Sequence, residues 1–199
     1  ANLGLIPTLV GPGDTVYIDR LAHASLIDAA LLSRARIRRF RHNDADHLAG
    51  LLSRSAMGDG RRLIVSESVF SMDGDRAPLD ALIGLAETHG AMVLIDEAHA
   101  TGVLGPGGGG LCHADGTACP GVNLAMGTLS KALGNYGGFV ACSTAMREYL
   151  INHARALIYT TALPPAVIGG VLGALDALAE HPGWGDELLA RADHFRRRL

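Results

Sequence analysis

The sequence predicts an α/β fold in which a mostly parallel sheet carries helices on both faces, and three observations lead to it. Short β-rich or apolar runs alternate with segments of helical periodicity along the whole chain. One run, Ala91 to Ile95, is continuously apolar, as a strand covered on both faces must be. Residues able to do chemistry stand directly after the predicted strands, where open α/β sheets bind their ligands.

The elements follow in order. Thr15 to Ile18 reads as a strand and Ser25 to Ser33 as a helix, with Leu26, Ile27, Ala30 and Leu31 on one stripe. Arg36 to Phe40 is a strand, Asp44 to Leu52 a helix and Leu63 to Val65 a strand. Pro78 to His89 is a helix with proline in its first turn and Gly90 at its end. Leu124 to Met126 and Gly138 to Ala141 are further strands; Thr144 to Leu157 and Pro165 to Glu180 are helices. The glycine turn Gly105 to Gly110 is the one low-complexity stretch, and there are no repeats of 20 to 50 residues.

Composition narrows the function. The chain has 199 residues, 48% apolar and 19% charged, enough for one hydrophobic core. A formal charge of −3 gives no reason to expect nucleic acid or an anionic membrane as partner. No apolar run is long enough to span a bilayer, since Val167 to Leu178 is broken by Gly169, Gly170, Gly173 and Asp176. Residues 1 to 10 lack the pattern of a signal peptide. Cys112, Cys119 and Cys142 are odd in number and at no metal-ligand spacing, so reduced thiols in a cytoplasmic protein, with no metal site, are expected. The arginines of residues 34 to 41 and 196 to 198 read as solvated faces.

The chemistry gathers after four strands. His23 follows the first, Glu67 to Ser71 follow Leu63 to Val65, Asp96 and His99 follow Ala91 to Ile95, and Thr128 and Lys131 follow Leu124 to Met126. Strand order is open at this point, so their convergence is an inference. Lys131 is the only lysine and lies in the glycine-framed stretch Gly127-Thr-Leu-Ser-Lys-Ala-Leu-Gly134. A lone lysine is usually a solvated charge, Asp96 alone a cap, and His99 alone a satisfied loop histidine. Together they match what pyridoxal 5'-phosphate requires: an amine to hold its aldehyde, a carboxylate to keep its ring nitrogen protonated, and hydroxyls such as Thr128 and Ser130 for its phosphate.

At these residues the sequence resembles the α-oxoamine synthase family of fold-type I pyridoxal-phosphate enzymes. The resemblance rests on Asp96-Glu-Ala-His-Ala-Thr-Gly-Val-Leu-Gly-Pro106, Thr128-Leu-Ser-Lys-Ala-Leu-Gly134, His23-Ala-Ser-Leu26, His42-Asn-Asp44, Glu67-Ser-Val-Phe-Ser-Met-Asp-Gly-Asp75 and Tyr159-Thr-Thr-Ala-Leu-Pro-Pro165. It implies that Lys131 carries the cofactor and acts as catalytic base, that Asp96 pairs with the pyridine nitrogen, and that His23 stacks over the ring. It further implies that His99 and Ser71 approach the phenolic oxygen, that Thr128 contacts the phosphate, and that Thr160 or Thr161 reaches the neighbouring subunit of a homodimer. The wording stands nearest the biotin-pathway members, acyltransferases that join L-alanine to a pimeloyl thioester (pimeloyl-CoA or a pimeloyl carrier protein).

Residues 1–180 are expected to form the cofactor-binding large domain of such an enzyme, without its upstream glycine-rich phosphate loop. Residues 181–199 are expected to form a helix leading to the family's carboxy-terminal domain, so the stretch by itself should not turn over. Another α-oxoamine synthase, using glycine or serine and a different acyl-CoA, is the alternative. Leu94-Ile-Asp-Glu-Ala-His99 also spells a nucleic-acid-dependent ATPase box, but the phosphate loop Gly-x-x-x-x-Gly-Lys-Ser/Thr is missing. A catalytically silent partner subunit is opposed by the presence of Lys131, Asp96 and His99.

Overall fold

Two apolar cores lie on opposite faces of one sheet, and the strand pleat creates both. The computed structural model describes residues 1–55, 60–114, 117–118 and 120–199. Its elements are α1 (Asn2–Leu9), β1 (Thr15–Asp19), α2 (Ala24–Ser33), β2 (Arg36–Phe40), α3 (Ala45–Ser53), β3 (Arg62–Glu67), α4 (Leu79–His89), β4 (Met92–Asp96), the short strands β5 (His113–Ala114) and β6 (Thr117–Ala118), β7 (Leu124–Thr128), β8 (Gly138–Cys142), α5 (Thr144–His153), α6 (Arg155–Ile158), α7 (Pro165–Glu180) and α8 (Trp184–Arg196). The main sheet has the order β2-β1-β3-β4-β7-β8. Its first five strands are parallel and β8 pairs antiparallel with β7.

Successive residues of a strand face opposite ways. Val16, Ile18, Leu63, Val65 and Leu94 therefore join one core with Leu5, Ile6, Leu26 and Ala30 from α1 and α2. Tyr17, Ile64, Val93 and Ile95 join the other with Leu48 and Leu52 of α3 and Leu82 and Ala86 of α4. Burying the sheet on both sides explains why its central strands read as unbroken apolar runs.

The predicted alternation is borne out, with differences at the ends. Helix α1 was not among the expected elements: no side chain caps it and Pro7 lies inside it, so neither start signal nor clean periodicity announces it. The helix expected over Thr144 to Leu157 breaks at Ala154, whose ψ of 95° is extended. Ala154 is buried against the first core, so packing decides this break rather than a glycine or proline. Helix α7 buries no residue although its sequence is apolar. Among the described residues Cys142 is a free thiol and Cys112 is buried, while Cys119 lies outside them. Among the described residues no helix is long and apolar enough to cross a membrane.

The loop after β4 presses on the turn that carries Lys131. Gly102 has φ of +78°, and a Cβ there would come within 2.5 Å of the Ala132 Cβ. Both the left-handed backbone and the contact favour glycine. Gly102→Ala should cost the full-length protein roughly 1–3 kcal/mol in urea unfolding, the usual range for overpacking. Adding Ala132→Gly should recover the steric part.

Candidate active site

The strand order places the carboxyl ends of β1, β3, β4 and β7 side by side, and a cleft of about 420 Å³ opens there. His23, Glu67, Asp96, His99, Thr128, Ser130 and Lys131 line it, joined by Asn2 and the backbone of Gly127, Gly137 and Gly138. Five of the eight expected site residues thus meet in one place: Lys131, Asp96, His99, Thr128 and His23. Ser71, in the exposed turn after β3, and Thr160 and Thr161, exposed between α6 and α7, do not line the cleft.

Asp96 ends β4 and is only 4% exposed. Its Oδ1 accepts the Ala98 N–H at 2.9 Å and its Oδ2 accepts Asn2 Nδ2, also at 2.9 Å. A buried carboxylate needs such donors, because an unpaired charge there would lose its hydration without return. Asn2 reaches Asp96 from α1 and also donates to Ser25 Oγ at 3.0 Å. Its Oδ1 is buried without a partner among the described residues. Sequence reading gave Asn2 no role, since α1 carries no recognisable signal.

Glu67 stands in register with Asp96 on the adjacent strand and is 2% exposed. Burial, reinforced by the charges of Asp96 and Asp19, pushes its carboxyl up to about 7, against the pull of the His23 N–H and Lys131. His23 donates that N–H to Glu67 Oε1 at 2.5 Å and caps α2 by accepting the Ser25 N–H on its Nδ1 at 3.2 Å. One residue thus starts a helix, touches a buried acid and offers its ring to the cleft.

His99 is shifted below the ordinary imidazole value by burial first, then by the nearby charge of Lys131, with Asp96 opposing. It is therefore neutral at neutral pH, able to donate one N–H without adding charge. The Lys131 side chain is exposed and makes no hydrogen bond or ion pair among the described residues. Thr128 Oγ1 and Ser130 Oγ lie 2.7 Å apart. Gly127 leaves the space that a Cβ would take from the Phe139 ring, 2.2 Å away, so the floor here is backbone. A buried, donor-bonded carboxyl group at the base, a neutral histidine, an unpaired amine at the rim and two hydroxyls beside bare backbone suit an aromatic aldehyde bearing a basic ring nitrogen and a phosphate.

A family model for aminotransferase class I and II matches residues 1–199. The 8-amino-7-oxononanoate synthase of Geobacter sulfurreducens is 51% identical over 183 residues, 92% of this chain and 46% of that protein. That of Alkalilimnicola ehrlichii is 51% identical over 196 residues, 98% of this chain and 48% of that protein. Among solved structures, a serine palmitoyltransferase from S. paucimobilis with bound pyridoxal phosphate and myriocin matches with a TM-score of 0.89 at 38% identity, covering 96% of this chain and 48% of that one. An 8-amino-7-oxononanoate synthase from Francisella tularensis matches at 0.77 and 34% identity, covering 93% and 52%. The chain spans about half the length of the curated relatives it matches. Matched over its whole length by the family model, the chain belongs to the aminotransferase class I and II family.

Proposed function

We propose that this chain is the cofactor-binding part of a pyridoxal-phosphate-dependent acyltransferase of biotin biosynthesis. The enzyme would join L-alanine to a pimeloyl thioester and release 8-amino-7-oxononanoate, carbon dioxide and the thiol carrier. The observation that carries the reading is the cleft itself: Asp96 bonded to the Ala98 N–H and the Asn2 amide at its base, with Lys131 unpaired at its rim. The 51% identity to synthases of that name supports the choice of substrates. In this reading residues 1–180 are the large domain, residues 181–199 lead into a further domain, and the whole protein works as a cytoplasmic homodimer.

When bound, the cofactor supplies an electron sink for the α-carbon of the amino acid. Lys131 would hold it covalently, and its Nζ, when free, would take the α-proton of the amino acid as general base. Asp96 would keep a proton on the ring nitrogen by charge pairing. His23 would cover the ring face, and His99 would donate toward the phenolic oxygen, with Ser71 from the turn after β3. Thr128 and Ser130 would donate to the phosphate, together with Thr160 or Thr161 of the neighbouring subunit.

A second reading within the same chemistry is supported by the serine palmitoyltransferase match: another α-oxoamine synthase, taking serine or glycine and a different acyl-CoA. Product analysis separates the two. Full-length protein given alanine, glycine or serine with pimeloyl-CoA, acetyl-CoA or palmitoyl-CoA should yield 8-amino-7-oxononanoate from alanine and pimeloyl-CoA. A clear preference for serine with palmitoyl-CoA would replace the first reading with the second.

Asp96→Asn tests the role of charge. Asparagine still touches the ring nitrogen but cannot hold its proton electrostatically. Turnover should fall about a hundredfold, the scale of a lost ~3 kcal/mol of transition-state stabilisation, while cofactor content changes little. Near-normal turnover would make Asp96 structural.

A further inference from the structure

The motif His42-Asn-Asp44 stands outside the cleft, yet its side chains join two separate segments through one polar cluster. His42 Nδ1 lies 3.0 Å from Asp19 Oδ1, at the end of β1, and His42 Nε2 lies 2.8 Å from Asp75 Oδ2. Asn43 donates its backbone N–H to Asp19 Oδ2 at 2.9 Å and its Nδ2 to Asp75 Oδ2 at 2.6 Å and to the Arg76 carbonyl at 3.1 Å. It holds φ of 52°, a left-handed conformation that asparagine tolerates better than most residues. Asp75 closes the turn that carries Ser71: Phe70 donates its N–H to the Asp75 carbonyl at 3.0 Å, and Gly74 donates to the Phe70 carbonyl at 2.9 Å. The Phe70 ring meets the imidazole edge-on at 4.4 Å.

We infer that His42 is a positioning residue: bonded through both ring nitrogens to carboxylates on two separate segments, it ties the Ser71 turn to the end of β1 and so sets where Ser71 stands at the edge of the site. The link to Ser71 rests on the proposed function; the clasp itself does not. Both ring nitrogens face carboxylate oxygens, with the Asn43 Nδ2 farther from Nε2 at 3.4 Å; a neutral imidazole has only one N–H, so only the imidazolium donates to both carboxylates. The charged groups that face it are Asp19 from β1 and Asp75 from the turn; Arg41 and Asp44, beside it in sequence, pair with each other at 2.7 Å. Burial opposes the charge, but the hydrogen bonds and charges of Asp19 and Asp75 outweigh it and hold His42 above the ordinary imidazole value of 6.5. A raised value means the clasp is fully closed below about pH 6.5 and opens as pH rises through the shifted titration.

Hydrogen exchange on the full-length protein without cofactor tests the clasp. After correction for intrinsic rates, the Phe70 and Gly74 amides should lose protection as pH rises from about 6 to 9. His42→Gln should exchange there about tenfold faster than the parent at the lower pH, the size of one lost charge-assisted hydrogen bond. Asp75→Asn, which keeps the side chain's shape at this half-buried position, should move the inflection toward the ordinary imidazole range. Protection that is independent of pH and equal in all three proteins would overturn the inference. The visible absorption of the cofactor-loaded protein then tests the link to the site: His42→Gln should shift its pH midpoint in the same direction as Ser71→Ala. A midpoint moved by Ser71→Ala but not by His42→Gln would break that link. A midpoint moved by neither would refute the placement of Ser71 instead, and the exchange result would still decide the clasp.

Discussion

The buried carboxylate of Asp96 is the constraint on which the site depends. At the end of β4 it is 4% exposed, and the Ala98 N–H and the Asn2 amide supply the donors that a carboxylate taken out of water needs. Its strand neighbour Glu67 stands in register and is equally buried. Burial first, then the charges of Asp96 and Asp19, push the Glu67 carboxyl up to about 7. The pair thus sets a donor-bonded carboxyl group at the base of the cleft beside an acid that holds the His23 backbone.

Strand order converts this local chemistry into a site. The chain lays β2 beside β1, returns to place β3 on the other side of β1, and then adds β4 and β7. The reversal between β1 and β3 opens the crevice that such sheets use for ligands. Much of this was legible in the sequence, because continuous apolar strands and the residues that follow them need no tertiary information to find. His23, Asp96, His99, Thr128 and Lys131 each stand in such a position, and each reaches the cleft.

What was not legible depended on packing. Helix α1 has an uncapped start and an internal proline, so Asn2, the side chain that secures Asp96, belonged to no recognisable element. The break at Ala154 has neither glycine nor proline and arises because that residue packs into the first core. Glu67 was visible as a residue after a strand, but its perturbation comes from burial and then from Asp96 and Asp19 on neighbouring strands, all of which only the sheet order brings about. His42 was visible as part of a motif, yet its two partners lie 23 and 33 residues away in the chain.

Lys131, the only lysine of these 199 residues, is the residue proposed to carry the cofactor at the rim of this cleft. The most direct measurement is borohydride reduction of the cofactor-loaded full-length protein followed by peptide mapping. A pyridoxyl group on Lys131 is the expected result. A group fixed to another residue, or none recovered from protein that retains its cofactor colour, would contradict the assignment.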